Sequence, residues 1–89
     1  MASKVLIYLT GWCPYCASAV SLLERKGASI ERINVEEQPE AREQMLARSG
    51  RSSVPQIFIG DTHVGGCDDL YALEAAGKLD PLLKSGAIP

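Results

Sequence analysis

Apolar residues follow two rhythms along this chain. Val5-Leu6-Ile7-Tyr8-Leu9 is unbroken and of strand length. Continuous rather than alternating hydrophobicity predicts a central strand covered on both faces. Thr10-Gly11 ends it. A helix is predicted from Pro14 to about Lys26: Pro14 suits a first helical position, Val20 and Leu23 recur at helical spacing, and Gly27 can close the end. Ser29 to Val35 alternates, with Ile30, Ile33 and Val35 its apolar members, and reads as a second strand. Because a helix joins them, the two strands should run parallel with a right-handed crossover.

Pro39 opens a second predicted helix. Glu36, Glu37 and Glu40 lie near its positive end and Arg48 near its negative end, Met45 and Leu46 supply its core face, and Gly50 stops it. Gln56-Ile57-Phe58-Ile59 is a third strand after Val54-Pro55. Gly60-Asp61 suits a two-residue hairpin turn into Thr62-His63-Val64, which Gly65-Gly66 breaks. A third helix is expected from Cys67 or Asp68 through Leu70 and Leu73 to Gly77, and Pro81-Leu82-Leu83-Lys84 suggests a short final turn. The order β-α-β-α-β-β-α combines one parallel pair with one hairpin. It predicts a four-stranded mixed sheet, order 4-3-1-2, with helices on both faces: an α/β fold of thioredoxin type, formed by residues 1–89 as one domain.

Composition narrows the function. At 89 residues the chain has room for one modest core, and 46% hydrophobic residues fill it, which argues against disorder. A formal charge of −2, with Lys and Arg scattered, gives no general attraction for nucleic acid or anionic membrane. Met1-Ala2-Ser3-Lys4-Val5 lacks a signal peptide's apolar segment, and no run reaches membrane-spanning length. Three cysteines without an export signal point to a reducing, cytoplasmic setting in which a disulfide is transient rather than structural.

The candidate chemistry centres on Cys13-Pro14-Tyr15-Cys16, two thiols one helical turn apart. In an intracellular chain with a βαβ pattern, this spacing reads first as a redox pair. A thiol reacts as its thiolate, and the unpaired N–H groups at a helix mouth favour negative charge there. Cys13 is therefore assigned as the nucleophile and Cys16, inside the first turn, as the resolving thiol. Two other readings compete. In one, the pair are small apolar core residues; in the other, Cys13 and Cys16 join His63 and Cys67 in a Cys₃His zinc site. The fold has an adequate core without metal, so no metal is expected.

Two further segments stand out. A cis Val54–Pro55 bond would leave the Val54 backbone free to pair with an incoming peptide, whereas a trans bond is the commoner case for X-Pro. Sequence physics leaves both open. In Gly65-Gly66-Cys67-Asp68-Asp69, glycines permit close backbone approach, the helix start offers N–H groups to a carboxylate, and Asp68 can accept from an amine. That combination suits an α-amino acid. It also describes an ordinary strand exit and helix cap.

Cys13-Pro14-Tyr15-Cys16, Ser53-Val54-Pro55-Gln56-Ile57-Phe58-Ile59 and Gly65-Gly66-Cys67-Asp68-Asp69-Leu70 occur together in an order and spacing that resembles the small bacterial dithiol glutaredoxins over nearly the whole chain. The resemblance implies glutathione as co-substrate. It places the cysteine backbone of glutathione on Val54 ahead of a cis Pro55, and its γ-glutamyl end on Gly66, Cys67 and Asp68. Tyr15 would flank the tripeptide, Arg42 would help hold its glycine carboxylate, and Cys67 would line the site. It implies a monomer that reduces protein–glutathione mixed disulfides and protein disulfides. Family members often carry Lys where this chain has Thr10, and loss of that cation is expected to weaken glutathione binding. Trp12 borders the motif, either as a cover for the loop or as a substrate contact. The alternative within the resemblance is a [2Fe–2S] carrier, with a cluster shared by two Cys13 residues and two glutathiones; Pro14 usually accompanies its absence.

Overall fold

The computed structural model of the chain describes residues 4–11, 13–60 and 62–85. Trp12, and Asp61 of the expected hairpin turn, lie outside the described residues. Four strands, β1 (Lys4–Leu9), β2 (Ser29–Asn34), β3 (Gln56–Ile59) and β4 (Thr62–Gly65), form one sheet in the order β2-β1-β3-β4. β1 pairs parallel with β2 and antiparallel with β3, and β3 pairs antiparallel with β4. This is the predicted order read from the other edge. Four helices complete the chain: α1 (Pro14–Arg25), α2 (Pro39–Ser49), α3 (Cys67–Ala75) and α4 (Leu79–Ser85).

The continuous apolar run of β1 resolves into alternate faces, as the pleat requires. Val5 and Ile7 join Ile57 and Ile59 of β3 against Ala19, Leu22 and Leu23 of α1, Leu70 of α3, and Leu79 and Leu83 of α4. On the opposite face Tyr8 and Phe58 pack with Val35, Ala41 and Met45 under α2. Both central strands are thus covered twice, which is why neither shows alternation in sequence.

Element ends follow from single residues. Pro14 occupies the first turn of α1. Gly50 (φ 71°) ends α2 in the left-handed conformation that glycine adopts without a Cβ penalty. Some expectations needed correction. Leu46 does not face the core: α2 buries Ala41 and Met45, four residues apart on one stripe, and leaves Leu46, one step further round, 51% exposed. Ile30 and Ile33 are only half-buried because β2 is an edge strand. β4 runs one residue further, into Gly65, through a register shift between Ile57 and Phe58. The final turn is a helix of seven residues, anchored by Leu79 and Leu83 at i, i+4.

Candidate active site

The two motif cysteines meet at the mouth of α1. Cys13 is the N-cap, with extended backbone (φ −154°, ψ 110°), and its Sγ accepts from the Cys16 N–H at 3.3 Å. Sulfur thus holds the place usually taken by a capping oxygen, so an orphan helix donor points at it. Cys13 is half-buried and Cys16 only 3% exposed. Burial, then a hydrogen bond with the Cys13 sulfur, push the Cys16 thiol up to about 12, with a backbone hydrogen bond from Thr10 opposing them. At neutral pH Cys16 therefore keeps its proton, behind a sulfur that solvent can reach. All three cysteines are free thiols.

A cleft of about 230 Å³ is lined by Tyr15, which stands between the two cysteines in sequence, but by neither Cys13 nor Cys16. Tyr15 stands on one side, 65% exposed. The floor is the segment ahead of β3, where the Val54–Pro55 bond is cis. The far wall is the start of α3 at Gly66, Cys67 and Asp68. Here the chain approaches itself closely. Gly65 has φ 115°, and a Cβ there would overlap the Asp69 carboxylate, whose Cγ lies 2.8 Å from that position. Asp69 Oδ2 accepts from Gly66 N–H at 2.9 Å and from Arg51 Nη1 at 3.1 Å, and these two contacts hold its carboxyl below the usual carboxylate range. Burial, then Asp68 and Cys13, push the Cys67 thiol up, so Cys67 is a neutral wall rather than a second nucleophile at neutral pH.

Six residues singled out in the sequence (Tyr15, Val54, Pro55, Gly66, Cys67 and Asp68) therefore converge on one cleft. Arg42 does not line it. It is exposed on α2, with Nη1 3.4 Å from Ser52 O, and so reaches the loop behind the floor. The guanidinium on the cleft wall is that of Arg51, which sequence reasoning missed; Ser53, Gln56 and Asp69 also line it, inside the segments singled out in sequence but with no role assigned to them there. The signal for Arg51 was its place three residues before Val54. The Gly66 N–H is already taken by the Asp69 carboxylate, and the α3 donors left open to a carboxylate include those of Cys67 and Asp68. A second groove, lined by Thr10, Cys13, Cys16, Ala17 and Val20 with Glu24 and Arg32 beyond, flanks the pair on the side of β2. His63 Nε2 lies 2.8 Å from Gln56 Oε1, and among the described residues no three His, Cys, Asp or Glu side chains gather as a metal site.

A four-stranded sheet in this order between helical layers, with a cysteine pair at the mouth of the first helix and a cis proline ahead of the third strand, defines a thioredoxin-like fold. The family model for glutaredoxin matches residues 5–64. A glutaredoxin from Pseudomonas aeruginosa is 56% identical over 81 residues, covering 91% of this chain and 96% of the relative. The solution structure of glutaredoxin from Brucella melitensis superposes with a TM-score of 0.86 at 57% identity, covering 99% of this chain and 96% of that one. The crystal structure of a buckwheat glutaredoxin–glutathione complex gives 0.84 at 28% identity, covering 91% and 76%. The chain belongs to the glutaredoxin family, whose members are thiol oxidoreductases.

Proposed function

We propose that this protein is a glutathione-dependent thiol–disulfide oxidoreductase that reduces protein–glutathione mixed disulfides and protein disulfides. The observation that carries the reading is the pairing of a half-exposed sulfur, Cys13, which caps a helix, with a buried, protonated thiol at Cys16. The Cys13 thiolate attacks the glutathione sulfur of a mixed disulfide, forming Cys13–S–S–glutathione. The target leaves as a thiolate and takes a proton from water. A second glutathione thiolate attacks the glutathione sulfur of that adduct, yielding glutathione disulfide and regenerating Cys13. With a protein disulfide, Cys13 forms the mixed disulfide with the target and Cys16 resolves it, giving up its proton. Two glutathiones then reduce the Cys13–Cys16 disulfide.

In this reading the cleft holds glutathione. Its cysteine backbone pairs with Val54 beside Pro55, its γ-glutamyl carboxylate meets the N–H groups of Cys67 and Asp68, and its amine meets the Asp68 carboxylate. Tyr15 covers it, and Gly66 admits the close approach. Arg51 takes the glycine carboxylate from the cleft wall, with Arg42 bracing the loop from behind. The protein acts as a cytoplasmic monomer on protein thiols. The experiment is glutathione-dependent reduction of a glutathionylated peptide by Cys16→Ser, coupled to glutathione reductase. Turnover comparable to wild type is expected, because the two-step exchange uses Cys13 alone. No turnover by Cys16→Ser, with wild type active on protein disulfides, would reject the glutathione site.

A further inference from the structure

Gln56 is the buried polar residue of the core among the described residues, 1% exposed, and its contacts fix which end of its amide is which. Its Nε2 lies 3.0 Å from Ser53 O and 3.4 Å from Ser53 Oγ, and its Oε1 lies 2.8 Å from His63 Nε2. A carbonyl can only accept, so the Gln56 nitrogen faces Ser53 and its oxygen faces His63. His63 must then carry its proton on Nε2 and donate. The ring is fixed from the side as well. It lies against Phe58 with centroids 4.8 Å apart and planes tilted 31°, and the Arg48 guanidinium sits 4.3 Å from the centre of the Phe58 ring. Burial, then Arg51 and Arg48, hold the imidazole below its usual range, with Asp69 opposing, so the ring is neutral at pH 7.

The relay ends at the peptide that forms the cleft floor. The Ser53–Val54 bond is trans, and in a trans peptide the C=O and N–H point in opposite directions. Pinning the Ser53 carbonyl onto the Gln56 amide turns the Val54 N–H away from the core, and that N–H makes no bond among the described residues. We propose that His63, on the far strand of the hairpin, is a positioning residue for the cleft, acting through Gln56 to set the Ser53–Val54 peptide for the backbone of the bound tripeptide. This rests on the glutathione reading above. His63 touches no substrate: it orients the amide that orients the donor.

The test compares His63→Phe, His63→Gln and wild type. Phe keeps a ring on Phe58 but has no donor, whereas a Gln amide nitrogen can stand where Nε2 stands. For His63→Phe the KM for glutathione should rise about three- to tenfold, the effect of misdirecting one hydrogen bond, with kcat at saturating glutathione within about twofold. The rate of Cys13 alkylation by iodoacetamide, which needs no cleft, should be unchanged. His63→Gln should restore the wild-type KM. An unchanged KM in His63→Phe, a KM in His63→Gln as high as that of His63→Phe, or a matching slowdown in alkylation would overturn the proposal. If His63→Phe fails to fold, His63→Asn serves in its place, since its shorter amide cannot reach the Nε2 position. Failure of the glutathione reading itself is distinct, for wild type would then show no glutathione-dependent turnover.

Discussion

Replacing Cys13 by Ser should abolish reduction of both glutathionylated peptide and protein disulfide, by more than about 1,000-fold, because no step of either route proceeds without that sulfur. The fold should survive intact. Cys13 caps α1 by accepting from the Cys16 N–H, and serine is a better capping residue than cysteine, so thermal unfolding should move little or slightly upward. Loss of activity with retained stability separates the chemical role of the residue from its structural one. Residual turnover above about 0.1%, the level a loss of about 1,000-fold leaves, would mean that Cys16 or Cys67 can substitute. Their raised thiol pKa values, caused first by burial, argue against this near neutral pH.

The largest structural effect is expected from Gly65→Ala. A side chain at φ 115° costs about 1–3 kcal/mol. The new Cβ would also expel the Asp69 carboxylate, which caps the Gly66 N–H and holds Arg51, and loss of a helix cap costs about 1 kcal/mol. Together these lower stability by about 2–4 kcal/mol, or roughly 10–25 °C in Tm for a domain of this size. The double variant Gly65→Ala with Asp69→Ala removes the overlap but keeps the backbone strain. Its loss should therefore be smaller than the sum of the two single losses. Calorimetry on the four proteins decides it. Simple additivity would show that Asp69 is not what Gly65 makes room for.

The fold was legible because its two central strands and its helix starts leave plain marks. β3 occupies the expected residues, Gln56–Ile59, and both Pro14 and Pro39 open helices. What was not legible depends on orientation rather than composition. Met45 and Leu46 look alike in sequence, yet one step of 100° puts the first in the core and the second in solvent. The same holds at the site. The cleft walls came from local signals, glycines before a helix and a proline before a strand. Arg51 needed the fold, because its partner Asp69 lies 18 residues away across the cleft. In sequence Gln56 reads as a strand residue, and His63 as a strand residue and a candidate zinc ligand. Only the antiparallel pairing of β3 and β4 brings them within 2.8 Å.

The central claim is that Cys13 carries glutathione covalently. The most direct measurement treats Cys16→Ser with glutathione disulfide at neutral pH, followed by acid quenching and peptide mapping under non-reducing conditions. A single glutathionyl group on the peptide containing Cys13, removed by further glutathione, is the expected result. Modification of Cys67 with Cys13 left free, or no adduct at all, would contradict it.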